Sequence, residues 1–212
     1  MATASRPDWL IPAGLIALAF IPVVAGVVRL TLLAACGPVT PENMRFFSEP
    51  VPVVLHIASV TIYSLLGAFQ FSPGFRHRRP GWHRAAGRVL VVAGVAAALS
   101  GLWMAVYYAI VPADSTLLHG LRLVFGSAMA VSIVLGLFAI WRGNVASHQR
   151  WMLRAYAIAL GAGTQALIQI PPLLLVGDPG DPSRTLMMGA GWLANLAVAE
   201  ILIRAKSNGG SG

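Results

Sequence analysis

The chain reads as an all-α integral membrane protein of six transmembrane helices, and three observations predict it. Charged residues make up 10% and hydrophobic residues 57% of the 212, with a mean hydropathy of +0.75. A soluble domain carries about 25% charged residues. The apolar residues gather into six runs, at 9–36, 51–71, 86–111, 117–141, 151–175 and 186–203, and a bilayer core asks for about 20 such residues per helix. The runs are continuous, whereas membrane barrel strands alternate over about 10 residues. Residues 1–206 form a single domain, and 207–212 read as a flexible tail. The second to fifth helices are expected to form a four-helix core, flanked by the first and sixth.

The first run is too long for the core of a signal peptide, so it reads as a retained helix. Arg29 lies near its far end, where a long side chain snorkels to the headgroups. Pro50 and Pro52 suit the start of the second helix. That helix carries His56, and Phe71-Ser72-Pro73-Gly74 ends it. The loop 75–82 is the most basic stretch. The third helix leaves the bilayer through Trp103, Tyr107 and Tyr108, an interfacial belt, and Pro112 stops it. The fourth opens near Ser115, with His119 and Arg122 in its first turns, and ends at Trp141-Arg142-Gly143-Asn144. The fifth follows His148 and carries Gln165 and Gln169 on one face, read as interhelical hydrogen-bond partners ahead of a quinone site. Pro171 and Pro172 kink or fray its end. In the sixth, Glu200 and Arg204 form a favourable i,i+4 pair.

This threading explains the net charge of +8 without nucleic acid. Eleven of the fifteen Lys and Arg residues fall on the amino-terminal side: Arg6, Arg76, Arg78, Arg79, Arg84, Arg88, Arg142, Arg150, Arg154, Arg204 and Lys206. The other side holds Arg29, Arg45, Arg122 and Arg184. Positive charge marks the cytoplasmic face, so both termini are expected in the cytoplasm, with the protein multi-pass in a bacterial inner membrane. Cys36 is alone, so no internal disulfide forms.

The most informative residues are histidines. His56 and His119 are 63 residues apart, and His83 and His148 are 65 apart. On this topology the first couple lies near the outer face and the second near the inner face, one histidine on each of four successive helices. Two imidazoles at one height on neighbouring helices clamp a haem iron, and the bundle supplies a dry setting. Arg122 on the outer side, and Arg84, Arg88, Arg150 and Arg154 on the inner side, suit haem propionates or an anionic donor. Gly94, Gly101, Gly126, Gly161 and Gly163 either give flat macrocycles room or serve helix packing. The bland reading of the histidines and arginines is snorkelling to lipid phosphates. No zinc-like Cys/His spacing, Gly-rich phosphate loop or His-Glu-x-x-His helix is present, and no buried carboxylate pair. Soluble-type hydrolysis and phosphoryl transfer are therefore unsupported.

Leu55-His56, Gln70-Phe71-Ser72-Pro73, His83-Arg84, Gly87-Arg88 and His148-Gln149-Arg150-Trp151-Met152-Leu153-Arg154-Ala155-Tyr156-Ala157 resemble a bacterial family of predicted membrane proteins, domain-of-unknown-function family 2306. The match runs over about residues 51–170, with Gln149 where the family commonly has Arg. The resemblance implies the multi-helix membrane class and no activity. The layout is also similar to the di-haem cytochrome b-561 family, although only Leu118-His119 agrees with that family's motif around its fourth-helix histidine. That similarity implies His56 with His119 on an outer haem b and His83 with His148 on an inner one. Transmembrane electron transfer, with quinone as a candidate partner, is the resulting expectation. Its rival is a non-catalytic accessory or structural subunit, or a homo-oligomer, binding anionic lipid or partner subunits through a basic cytoplasmic face. A transporter is weaker, since the third to fifth helices show no clear mid-membrane break.

Overall fold

The computed structural model describes residues 8–110, 115–177 and 180–208. Arg6, Pro112, Asp114, Asp178 and residues 209–212 lie outside them, and of Asp181 the backbone alone is described. Among the described residues every regular element is helical. The helices are α1 (Leu10–Ala34), α2 (Met44–Ser48), α3 (Pro50–Ala68), α4 (Pro73–Arg78), α5 (Pro80–Tyr107), α6 (Thr116–Trp141), α7 (Val145–Ala159), α8 (Gly161–Val176) and α9 (Gly180–Asn208). Six spans are long and apolar enough to cross a membrane, with α7 and α8 together making the fifth. The protein is a multi-pass membrane protein.

Local sequence sets the helix starts. Pro50, Pro73 and Pro80 occupy first turns, where the missing N–H costs nothing. Ser72, Ser115 and Asn144 cap α4, α6 and α7 by accepting from backbone N–H groups of Phe75, Leu118 and Ser147. Gly143, at φ +74°, turns the chain between α6 and α7, a conformation that favours glycine. Several bounds differ from expectation. Two polar loops contain the short helices α2 and α4. α5 and α7 begin at Pro80 and Val145, well over a turn before their apolar runs, so His83 and His148 sit inside helices. Pro171 and Pro172 lie within α8, which runs on to Val176. Ser207 and Asn208, expected in the tail, end α9.

The fifth span is kinked in the middle, against the expectation of an unbroken helix. At Leu160 ψ rises to −6°. The cause is Asn195 on α9, whose Nδ2 donates to the Ala157 carbonyl at 3.1 Å and so enters the helical ladder. Asn195 Oδ1 accepts from Thr164 across the same gap at 2.7 Å. Small residues Gly161, Ala162 and Gly163 follow. Below the kink α7 packs on α6, α9 and α3; above it α8 packs on α1 and α9. The two halves thus have different neighbours, and α1 and α9 supply those of α8. The core gathers Tyr63, Ala93, Ala97, Phe125, Met129, Ile133, Tyr156 and Ile158. Tyr156 donates its hydroxyl to the Ser64 carbonyl at 2.7 Å, which holds the α7 half against α3.

Candidate functional site

Beside the break at Leu160 a cavity of about 450 Å³ opens, lined from α1, α2, α3, α5, α6, α7, α8 and α9. Binding pockets for small molecules span roughly 300–1,000 Å³. Its walls are mostly apolar: Ala97, Ala98, Phe125, Met129, Leu160 and Trp192 among others. Phe125 and Trp192 stack at 4.7 Å and 22°, making one flat wall. Its polar lining includes His56, Arg45, Arg122, Tyr108 and Gln165, and no Asp or Glu takes part. The cavity lies toward the arginine-poor end and reaches the middle of the bundle at Met129 and Ile158.

His56 is held in a defined orientation. Its Nδ1 lies 2.9 Å from the Ala97 carbonyl oxygen and 3.3 Å from Ser100 Oγ. A carbonyl only accepts, so Nδ1 carries the proton and donates it. In the neutral ring Nε2 is then the lone-pair nitrogen, and it has no hydrogen-bond partner among the described residues. Metal-ligating histidines are oriented in this way, through a carbonyl on the other nitrogen. Gly101 admits the ring: a Cβ there would stand 3.1 Å from His56 Cε1.

Arg122 lines the cavity with His56, whereas His119, three residues earlier and half-buried, is not among the lining residues. His148 has the same internal arrangement as His56, its Nδ1 donating to the Gly136 carbonyl at 2.9 Å. His83 has a buried Nδ1 with no hydrogen-bond partner among the described residues. Neither described cavity includes His83 or His148 in its lining. Arg88 is exposed on α5. Arg154 makes a bidentate pair with Glu200, at 2.6 and 3.0 Å, and lies over the Trp151 ring. Arg204, the expected partner, also acts on Glu200 through its charge, while the hydrogen bonds go to Arg154, whose guanidinium the packing of α7 on α9 brings to the carboxylate. Of the glycines, Gly94 is filled by Tyr63 and Ile133, Gly126 by Leu102, Gly161 by Trp192 and Gly163 by Leu18. Those four serve helix packing, and Gly101 alone faces a histidine. Gln165 is buried and donates to the Met188 carbonyl on α9 at 2.9 Å, while Gln169 donates back to Gln165 within its own helix.

Two residues of the mouth were not among the expected cofactor-binding residues: Tyr108 read as part of an interfacial belt and Arg45 as one of four cations on its side. Arg45 on α2 donates to the Ala109 carbonyl at 3.3 Å and lies against Phe46. Tyr108 donates to the Glu49 carbonyl at 2.6 Å, and burial pushes its phenol above the ordinary value. The available signal was scarcity, since only four cations lie at that end.

No curated protein and no solved structure matches the chain. The family model for predicted membrane proteins of family DUF2306 matches residues 53–203, which holds His56, the kink and every helix from α5 to α8, and on that match the chain belongs to the DUF2306 family.

Proposed function

We propose that this protein is a b-type haem carrier that moves electrons within a bacterial inner membrane, with its haem in the cavity beside His56. The supporting observation is the Nε2 of His56, deprotonated by the demand of the Ala97 carbonyl on Nδ1, unpartnered, and placed on an apolar cavity. The other lining residues suit the same group. Phe125 and Trp192 offer a flat apolar wall, and Arg45 and Arg122 offer guanidinium donors for propionates. Met104, Met129 and Met188 also line the space, and thioether sulfur is a haem-ligand type alongside imidazole. The proposal confines the haem to this end of the bundle, where the room is. When bound, the haem supplies a one-electron couple; the chain orients the imidazole, excludes water and balances charge. Quinone is the proposed exchange partner, since it moves in the same lipid phase.

The test is haem content. The purified protein, expressed with a haem precursor, is expected to yield about one extractable haem b per chain, and His56→Ala to yield almost none while keeping its melting temperature. A haem-free wild type, or a His56→Ala protein with unchanged haem, would overturn the reading. Stoichiometric partner subunits on a haem-free preparation would point to an accessory role instead.

A further inference from the structure

We propose a second binding site, at the arginine-rich end, for a phosphate-class anion held by Gln70, His83, Arg76 and Arg84. Two nitrogens there are buried without a hydrogen-bond partner among the described residues: Gln70 Nε2 and His83 Nδ1. Buried polar groups are satisfied in the great majority of cases, and leaving one unmade costs about 1–3 kcal/mol. Both are candidate donors at one end of one helix pair. Gln70 lies in the short turn that ends the second span, and His83 in the first turn of α5. Their chain neighbours Phe69 and Trp82 meet ring to ring at 6.1 Å, so both residues belong to the same end of the α3–α5 contact.

Charge decides the sign of the ligand. Arg76, Arg84 and His148 are the charged or titratable groups acting on His83. Neither Arg76 nor Arg84 has a side-chain partner among the described residues. The described acids at this end are Asp8 and Glu200, and they are engaged by Arg78 and Arg154. What remains is an amide, an imidazole and two guanidinium forks with no counter-charge. Such a donor set matches the oxygens of a phosphate, which guanidinium binds bidentately. The site lies at the level of the headgroups, where a phosphodiester is at hand, and is equally open to a soluble phosphate compound. It is remote from the His56 cavity and does not depend on it.

Full-length protein in neutral detergent is titrated with inorganic phosphate, and in parallel placed in phosphatidylglycerol or phosphatidylcholine nanodiscs with retained lipid counted by native mass spectrometry. One phosphate or one phosphatidylglycerol per chain is expected. Arg76→Gln with Arg84→Gln should weaken it on the order of tenfold or more, as should Gln70→Leu, which removes a stranded amide without lowering the melting temperature. Arg142→Gln, an exposed arginine between α6 and α7, should change nothing. Binding of phosphate identifies a soluble ligand, and selective retention of phosphatidylglycerol identifies a headgroup; either supports the site. Absence of both, or an equal loss in Arg142→Gln, overturns it.

Discussion

At the scale of single residues, small side chains decide where large ones approach. A Cβ on Gly94 would stand 2.6 Å from the Tyr63 ring and 2.9 Å from Ile133 Cδ1. Both neighbours are buried, and Tyr63 is backed by Tyr156, so neither yields easily. Gly94→Ala is expected to destabilise the protein by about 1–3 kcal/mol, read as a lower melting temperature in detergent. Gly120→Ala, with nothing within 4 Å, should be neutral or stabilising by up to about 1 kcal/mol. Gly101 differs in kind, because its neighbour is the candidate ligand. Gly101→Val is expected to displace the His56 ring and lower haem retention more than stability; a protein that melts early and binds haem normally would contradict that. His56 and Gln165 were legible in sequence as out-of-place residues in apolar runs, and His148 as an imidazole just before one. Their partners were not, because those are backbone carbonyls of Ala97, Gly136 and Met188, and carbonyls carry no sequence signature.

At the scale of elements, the kink at Leu160 separates a packed half from an open one. α7 is held to α3 through Tyr156 and to α9 through Arg154 and Glu200. α8 is carried to α1 and α9. Asn195 is the hinge pin, since it satisfies the Ala157 carbonyl and binds Thr164 together. Asn195→Leu is expected to cost roughly 1 kcal/mol, in the range of interhelical hydrogen bonds in membranes, and to narrow the cavity by letting the ladder re-form. A cysteine pair placed on α3 and α8 would report that narrowing as faster cross-linking; no change in rate would contradict the role given to Asn195. The six spans themselves were read from apolar length alone and match the structure. The break was not, because its cause lies on another helix. Leu160-Gly161-Ala162-Gly163 was the local signal, a run of small residues that also reads as ordinary packing. The short helices α2 and α4 were missed for a related reason: they are too short and polar for periodicity to mark.

At the scale of the molecule, the two ends have different chemistry. One end concentrates arginine, and the other opens the cavity. By the positive-inside rule the arginine-rich end is expected to face the cytoplasm. Cys36, exposed just beyond α1 at the opposite end, is a built-in reporter of that orientation. A membrane-impermeant maleimide is expected to label it in spheroplasts and to miss it in sealed inverted vesicles; the reverse pattern would invert the topology and put the cavity on the cytoplasmic side. The fold was therefore legible almost whole, since apolar length and charge bias are properties of sequence. The site was legible only in part: His56 and Arg122 share the cavity, while Arg45 and Tyr108 reach it through the folding of α2 and the end of α5. The central claim is that His56 presents a free Nε2 to a cofactor in that space. A reduced-minus-oxidised visible spectrum of the purified protein tests it most directly. The account predicts a b-type haem difference signal in the wild type that disappears in His56→Ala and persists in Arg154→Gln. A colourless wild type after haem supplementation, or a signal undiminished in His56→Ala, would contradict it.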